Sequence, residues 1–553
     1  MTVFEALETL LHDYPIALLF VILAVGYLIG KPKIRGFELG PVTGVLFAGL
    51  VFGHLGFTLA PEAQAFGFVM FIFSVGFQAG PGFFEVVRRE GAKYFVLSIV
   101  IAATGFGLSA WLGNLLDLPV GTSAGLLAGA MTTTPTLAAA QDALRSGAVA
   151  LPEGMTAADA VRNVGTSYAI TYLFGLVGLI VIIRTLPRAL GIDLAAEAEK
   201  IGGEEPHAAP GERISIRAYR VETEEIVGIA YRDLFDRLPA GSALTKLRRA
   251  GEFIEIDEQT MLQVGDEIAV VGKLERFIEA PQIVGPELTD PALLDTETES
   301  VEIVVTDANA VGLTLSELGI TESYACFLTG VQRMQMSIPV EPSMELHRDD
   351  VLSVTGPSAN VEQLAERLGH LERSVAETDL LTLAIGIFVG IALGSLSITI
   401  GGVSVGLGTA GGLLTTGLLI GYLRSIRPTF GRIPAAARWI FMELGLQMFM
   451  AGVGVSAGSG IVETLTSVGP SLVVCGIIVT VVPVLAGWFV GTLVLRINPA
   501  VLLGAITGAM TSGAALSVVN SAARSTVPAL GYTGAYAFAN VILTIAGTLI
   551  VRL

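Results

Sequence analysis

Twelve apolar segments, six before and six after an acidic middle, limit what this chain can fold into. The first six lie at residues 15–30, 40–57, 66–84, 93–116, 121–140 and 164–183, and the second six at 380–400, 403–423, 439–461, 470–495, 500–519 and 531–551. Most are long enough to cross a bilayer, where backbone polar groups must be satisfied within helices. With 52% hydrophobic and 15% charged residues, the 553-residue chain has the composition of a polytopic α-helical membrane protein.

The charge is distributed unevenly along the chain. The formal net charge is -18, and the acidic residues concentrate in the middle, which we therefore expect to be a separate aqueous domain. This balance argues against nucleic acid as a partner. The two cysteines, Cys326 and Cys475, cannot form a disulfide framework. Acidic rather than basic residues precede the first apolar segment, which favours a membrane helix over a cleaved signal.

The two sets of apolar segments resemble each other. The glycines of residues 40–53 recur in residues 408–421 at a constant offset, and the run from Gly76 to Glu85 recurs from Gly454 to Glu463. The shared order predicts an internal duplication of the membrane part.

One segment in each half is interrupted by hydroxyl side chains. The stretch Gly-Ala-Met-Thr-Thr-Thr-Pro at residues 129–135 returns as Gly-Ala-Met-Thr-Ser-Gly-Ala at residues 508–514. Hydroxyls beside glycine and proline suit a helix interior poorly, so we expect two short helices that meet at a polar tip. Broken helices at matching places in two halves are typical of transporter binding sites. The alternative is a packing seam of glycine and threonine.

Basic residues predict the orientation of the segments. They occupy alternate connections: Lys31, Lys33 and Arg35; Arg88, Arg89 and Lys93; and Arg424, Arg427, Arg432 and Arg438. If segment 121–140 is re-entrant, five segments of each half cross, the acidic middle is cytoplasmic, and residues 145–162 and both termini lie outside. The halves are then inverted repeats, each of about five spanning helices plus a re-entrant hairpin, as alternating access requires.

The acidic middle carries a duplication of its own. Residues 262–272 recur as residues 346–356, and both copies predict a turn that feeds a short buried strand. We expect further strands at 213–220 and 301–307 and helices at 231–238 and 315–318, which would make two α+β modules in tandem. The predicted domains are membrane repeats 1–189 and 378–553, a mobile linker 190–211, and modules 212–285 and 300–370.

This combination of duplicated tips and tandem modules resembles the aspartate:alanine exchanger family of bacterial transporters, and the modules resemble RCK_C (TrkA C-terminal) domains. The resemblance covers nearly the whole chain. It implies a secondary transporter of small acidic solutes, with aspartate/alanine exchange in one branch and dicarboxylate export, such as that of succinate, in another. It also implies a homodimer in the bacterial inner membrane and modules that regulate transport in response to a small ligand or a partner subunit.

An anionic solute in lipid needs hydrogen-bond donors or a cation. The tips offer donors at Thr132, Thr133, Thr134, Thr511, Ser512 and Gly513, together with backbone N–H groups at half-helix N-termini. Further candidates are Gln78 and Ser456 in the glycine-broken runs, Asn163 and Tyr168 with Tyr536 and Asn540 on the last segment of each half, and Arg145 and Arg524 beyond the tips. The alternatives are a packing seam for the glutamine and serine, interface anchoring for the tyrosines and snorkelling for the arginines.

Two other functional classes stay open at this point. A gated channel would suit RCK-like modules but should show a filter-like repeated loop, and a sensor that has lost transport would keep the same fold. The histidines have no metal-ligand spacing, and the chain has no Walker loop or Ser/His/Asp set. We therefore expect no metal, cofactor or enzymatic activity.

Overall fold

The computed structural model describes the chain apart from residues 1–2, 35–36, 39, 89–90, 148, 203–213, 224–225, 231–241, 255, 257–258, 274–276, 278–282, 295–297, 325, 335, 372–377, 401–402, 427–430 and 432. Two compact units form, a membrane unit of Met1–Ile201 with Ala376–Leu553 and a central unit of Gly202–Val375.

The first half of the membrane unit is helical except for one short hairpin. Its helices are α1 Val3–Asp13, α2 Pro15–Gly30, α3 Pro41–His54, α4 Pro61–Arg88, α5 Gly91–Leu115, α6 Thr122–Ala130, α7 Thr134–Arg145, α8 Ala157–Ala189 and α9 Leu194–Gly202. Strands β1 (Lys33–Ile34) and β2 (Phe37–Glu38) pair between α2 and α3. Every predicted apolar segment of this half corresponds to one of these helices, and segment 121–140 becomes the pair α6 and α7.

The central unit consists of two modules. The first module has β3 Ile214–Arg220, β4 Ala243–Arg249, β5 Glu252–Ile254, β6 Glu267–Lys273, β7 Glu287–Leu288 and α10 Pro291–Leu294. The second has β8 Thr298–Val305, α11 Leu315–Leu318, α12 Ile320–Tyr324, β9 Phe327–Arg333, β10 Met336–Ile338, β11 Val351–Pro357, α13 Ser358–Leu368 and β12 Gly369–Leu371. Each module forms a five-stranded antiparallel sheet, and the strand orders β5-β4-β6-β3-β7 and β10-β9-β11-β8-β12 are equivalent. The predicted tandem duplication is therefore confirmed, while the helix predicted at 231–238 lies outside the described residues.

The second half of the membrane unit repeats the order of the first. Its elements are α14 Leu380–Ser395, β13 Ser397–Ile400, β14 Val403–Gly406, α15 Gly408–Ile426, α16 Ala435–Gly458, α17 Ile461–Ser467, α18 Gly469–Phe489, α19 Pro499–Ala509, α20 Gly513–Ala523 and α21 Pro528–Ile550. A π-helical turn, Val490–Val494, extends α18. The predicted segments 380–400 and 403–423 were wrong at their shared boundary, because these residues pair as β13 and β14 instead of extending the helices.

Helix length separates two classes of apolar helix. Among the described residues, six helices are long and apolar enough to cross a membrane, namely α4, α5, α8, α16, α18 and α21. Helices α2, α3 and α14 have 16, 14 and 16 residues, fewer than the roughly 20 that span a bilayer. A β-hairpin joins α2 to α3 and, equivalently, α14 to α15, so the duplication extends to these connections.

The repeated glycines form two seams that join the halves. A Cβ added at Gly76 would lie 2.4 Å from the carbonyl oxygen of Leu414 on α15, and one at Gly454 would lie 2.5 Å from that of Leu46 on α3. Backbones can approach this closely only where side chains are absent. Helix α4 runs unbroken through residues 76–82, so the break predicted there was wrong. Helix α16 ends at Gly458 and α17 begins at Ile461, so a break does fall within residues 454–460.

The prediction of a mobile linker at residues 190–211 was wrong for the first part of that segment. Residues Leu194–Gly202 form α9, and the amide of Asn498 donates to the carbonyl oxygen (3.0 Å) and a carboxylate oxygen (3.1 Å) of Glu197. Two hydrogen bonds from the membrane unit therefore hold this segment. Residues 203–211 lie outside the described part.

Each module of the central unit contains the same buried ion pair. The guanidinium of Arg249 binds both carboxylate oxygens of Asp266 at 2.9 and 2.8 Å, and Arg333 binds those of Asp350 at 2.8 and 2.7 Å. Each aspartate also accepts a backbone N–H, from Gln263 and His347 respectively. These contacts satisfy the buried carboxylates and explain the aspartate shared by the two sequence copies.

A thiol in the second module leads to a prediction about pH. Cys326 is fully buried before β9, and burial raises the pKa of its thiol to about 12. In the unfolded chain the thiol ionises near pH ~8.5, so its contribution to the free energy of unfolding is present below that pH and is lost between about pH 8.5 and 12.

The burial of Cys326 also predicts its reactivity. In a Cys475→Ser chain we expect no alkylation of Cys326 by N-ethylmaleimide at pH 7.5 and full alkylation after denaturation. Rapid labelling of the native protein would contradict this prediction.

Candidate substrate site at the hairpin tips

Each half contains a helical hairpin whose arms are too short to cross a bilayer. Helices α6 and α7 have 9 and 12 residues, and α19 and α20 have 11 each. At 1.5 Å per residue an arm spans roughly 14–18 Å, about half of the ~30 Å hydrocarbon core. A hairpin whose base lies at a membrane surface would therefore bring its turn, at residues 131–133 or 510–512, to about the middle of the bilayer. The helix–break–helix interpretation of both segments is confirmed.

The two turns have the same backbone conformation. Thr132 and Thr511 each adopt φ 53°, and the N–H of the next residue bonds back to Ala128 (2.8 Å) or Thr507 (2.9 Å). The bonding pattern is that of a helix C-cap that glycine usually occupies. A β-branched residue in this conformation costs roughly 1–2 kcal/mol, and such strain concentrates at functional sites.

The tips contact each other directly. The hydroxyl of Thr132 donates to the carbonyl oxygen of Met510 at 2.8 Å. The hydroxyl of Thr511 donates in turn to the carbonyl oxygen of Thr132 at 3.2 Å. The first arms pack on different helices, α6 on α8 and α19 on α21. Two half-membrane hairpins that meet at their tips while their arms pack apart fit entry from opposite faces of the membrane. The structure thus brings the two predicted tips into one place.

The tip hydroxyls differ in what they can still bind. The hydroxyl of Thr136 donates to the carbonyl oxygen of Leu543 at 2.9 Å. The hydroxyls of Thr133 and Thr136 are 3.1 Å apart, and because the Thr136 proton is already used, Thr133 is the donor between them. Thr134 lies 3.5 Å from the hydroxyl of Tyr168. Ser512 accepts a hydrogen bond from the N–H of Ala515 at 3.4 Å, which leaves its own proton for a ligand.

The second tip is also the more accessible one. Residues 131–140 are buried throughout, whereas Gly513 is half-buried and Ala514 is exposed. The N–H groups of these two residues belong to the first turn of α20, where no intrahelical acceptor exists. Ser512, Gly513 and Ala514 therefore present three donors at the positive end of a helix dipole, a favourable place for a carboxylate.

Two pairs of tyrosines flank the tips, and the sequence analysis named only one tyrosine of each pair, Tyr168 and Tyr536. The rings of Tyr168 and Tyr172 are tilted at 42° with centroids 5.1 Å apart, and those of Tyr532 and Tyr536 stack at 20° and 5.2 Å. A Cβ at Gly129 would lie 2.7 Å from the Tyr168 carbonyl oxygen, and one at Gly508 would lie 2.4 Å from that of Tyr532. The recurring Tyr-x3-Tyr spacing was the available signal.

The remaining predicted residues lie at different distances from the tips. Asn540 is buried and donates to the carbonyl oxygen of Tyr536 at 2.8 Å, which places it beside the second tyrosine pair. Asn163 donates to the carbonyl oxygen of Val120 at 3.0 Å, at the base of the first hairpin. Gln78 is half-buried in the seam of α4, and Ser456 is exposed on α16.

The two arginines lie at the bases of the hairpins. Arg145, the last residue of α7, donates to the side-chain oxygen of Gln64 at 3.2 Å, and Arg524 follows the end of α20. Each is therefore about one arm length from its tip, and the structure does not bring either into the tip region.

Two family models match this chain. One, Asp-Al_Ex, described as a predicted permease membrane region, matches residues 18–188 and again residues 382–552, together more than half of the chain. The other, described as a TrkA-C domain, matches residues 301–369, which is the second module of the central unit. No solved structure matches the chain.

Proposed function

Since this chain belongs to the Asp-Al_Ex family of predicted permeases, we propose that it is a secondary transporter that exchanges small acidic solutes by alternating access. The contact between the two duplicated tips carries this proposal. A permease needs a solute site that two gates can reach in turn, and a pair of half-membrane hairpins that meet at mid-depth supplies one.

The chemistry of the tips favours an anionic solute. Residues 129–136 and 508–515 contain no acidic side chain, and their free polar groups are the Ser512 hydroxyl and the first N–H groups of α20. Aspartate or a dicarboxylate such as succinate presents carboxylates to such donors. The Tyr168 hydroxyl lies 3.5 Å from that of Thr134, and we assign the tyrosine pairs beside the tips to the other end of the solute.

The central unit has the regulatory role in this proposal. Its second module matches the TrkA-C model, and its first module has the equivalent strand order and the equivalent ion pair, so we propose that both are TrkA-C modules. A ligand or partner bound there would bias transport through different affinities for the two transporter conformations. We place the unit in the cytoplasm of a bacterial inner-membrane homodimer, as the resemblance and the basic connections imply.

Counterflow in proteoliposomes tests the proposed exchange. Vesicles loaded with unlabelled aspartate, alanine, glutamate, succinate, fumarate or malate are diluted into traces of labelled aspartate or succinate. We expect uptake to be stimulated at least about tenfold by one internal solute, because an exchanger returns faster when loaded. Conductance without stimulation would indicate a channel, and a chain that binds solute but moves none would be a sensor.

A further inference from the structure

The two hairpins are duplicates, yet their second arms have different surroundings. Ala138 of α7 is 1% exposed, whereas Ser517, which takes the same position in α20, is exposed. The exposed face of α20 continues at Ser521. The rest of the chain therefore covers the second arm of the first hairpin, which we call closed, and leaves that of the second hairpin uncovered, which we call open.

Contacts with both halves hold the closed arm. The Thr136 hydroxyl bonds to Leu543 of α21, and a Cβ at Gly547 would lie 2.3 Å from the Thr136 carbonyl oxygen. At the other end of the arm, Arg145 bonds to Gln64 of α4. These contacts pack α7 against α21 near the tip and against α4 at the base of the hairpin.

Asp142 makes the most specific of these contacts. Its carboxylate accepts the backbone N–H of Ala410 at 3.2 Å and is also hydrogen-bonded by the N–H and hydroxyl of Thr409. Both residues lie in the first turn of α15, a 19-residue helix of the second half. A carboxylate at the N-terminus of a helix is stabilised by unpaired N–H groups and by the helix dipole.

The equivalent contact is not made at the open arm. The residue of α20 that corresponds to Asp142 is Ser521, whose hydroxyl donates to Ser517 within the same helix. A Cβ at Gly408, the first residue of α15, would lie 3.1 Å from the Asp142 carboxylate, whereas one at its counterpart Gly40, before α3, would have nothing within 4 Å. Both glycines have left-handed backbones, with φ 69° and 84°.

We propose that Asp142 is a latch that fastens the first hairpin to the N-terminus of α15 and so closes one side of the transport path. Opening that side requires the carboxylate to leave α15, while the second hairpin closes by moving toward α3. The inference rests on the proposed function, since a latch of this kind has a purpose only in a protein that alternates between two open sides. Asp142 is a positioning residue here and does not touch the solute.

Side-selective labelling of the full chain in vesicles tests the latch. Cys326 and Cys475 are replaced by serine, and single reporters Ala138→Cys and Ser517→Cys are labelled with a membrane-impermeant maleimide from each side. With Asp142 intact, Ser517→Cys should react from one side only and Ala138→Cys hardly at all. Asp142→Ala should raise the labelling rate of Ala138→Cys from the opposite side about ten- to a hundredfold. The mutation removes a hydrogen bond to a charged group, and the loss of its free energy increases the population of the rare conformation in which the first hairpin is open by about that factor. Labelling of Ser517→Cys should fall.

The duplication supplies the controls. Ser521→Ala should leave both rates unchanged. Gly408→Ala and Gly40→Ala both place an alanine at a positive φ, but only Gly408→Ala crowds the carboxylate, so it alone should raise Ala138→Cys labelling. This second pair keeps the test decisive if Asp142→Ala does not fold. Asp142→Asn, which keeps an acceptor without the charge, should give an intermediate rate.

Two results would overturn the latch. One is an unchanged Ala138→Cys rate in both Asp142→Ala and Gly408→Ala, and the other is a rise in both reporters from both sides, which would indicate general loosening. The labelling needs no solute. If the single-cysteine reporters label as expected but the wild-type protein shows no counterflow, the proposed exchange is refuted and the latch is not.

Discussion

Ser512→Ala is expected to raise the apparent dissociation constant for an acidic solute about ten- to a hundredfold. The hydroxyl of Ser512 keeps its proton free for a ligand, while the hydroxyls of Thr132, Thr133 and Thr511 already donate to protein oxygens. A hydrogen bond to a charged group contributes about 1.5 to 3 kcal/mol, which corresponds to that range of affinity. Thr133→Ala should have a smaller effect for the same reason. Solute-dependent thermal shifts of the purified protein measure both.

The control must separate binding from helix capping. Ser512 also caps α20, and loss of a cap costs about 0.5 to 2 kcal/mol of stability. Ser512→Thr keeps the cap and the donor and should retain affinity, whereas Ser517→Ala removes a hydroxyl that bonds within the same helix and should not change it. If Ser512→Ala binds the solute as tightly as the parent, the second tip is not the carboxylate site and the tyrosine pairs become the next candidates.

Gly417→Leu is expected to abolish accumulation of folded protein. A Cβ at Gly417 would lie 2.4 Å from the carbonyl oxygen of Phe73 and 3.1 Å from Cα of Gly76. No rotamer can avoid a backbone atom at this distance, so α15 must separate from α4. Overpacking a well-filled core costs about 1 to 3 kcal/mol and sometimes more, and separation of the seam would add the loss of every contact along it. We expect the monodisperse peak in fluorescence-detected gel filtration to fall at least about tenfold.

Gly411→Leu on the same helix is the matched control. A Cβ there meets the Cβ of Leu407 at 3.2 Å and no backbone atom of another helix within 4 Å, so a local shift of a few tenths of an ångström at the start of α15 relieves the contact. Its folded yield should stay near that of the parent. Equal losses from the two variants would mean that any leucine in α15 is harmful and that the seam has no special role.

Patterns local in the chain accounted for most of the fold. The apolar segments predicted the helices because a bilayer admits few other structures, and the hydroxyl-rich stretches predicted both breaks because threonine, glycine and proline disfavour a helix interior. Prediction was poorer where composition is ambiguous. Apolar residues of β13 and β14 suit a helix end as well as a strand, and the acidic stretch that forms α9 has the composition of a linker. The glycine runs were correctly placed in repeats, but the run at 76–82 was wrongly taken for a break, since glycine serves packing as well as helix ends.

The candidate site was predictable in position but not in detail. Both tips and the tyrosines Tyr168 and Tyr536 could be found from the duplication, and so could Tyr172 and Tyr532 by comparison of the last helices. Arg145 and Arg524 were drawn into the site because they are repeated cations, yet each lies at the base of its hairpin. Distance along a helix, roughly 1.5 Å per residue, already placed them close to a membrane surface, in agreement with the snorkelling alternative.

The sequence by itself determined the membrane setting, the duplication and the two half-membrane hairpins, because each follows from the local balance of apolar and polar residues and from repeats along the chain. Only the tertiary structure decided which hydroxyls are occupied, which hairpin is closed and what Asp142 does. Their partners Met510, Leu543 and Ala410 are 378, 407 and 268 residues away in the chain. Two nearly identical hairpins acquire different surroundings only when the halves pack together, since a hydrogen bond depends on where the acceptor lies in space.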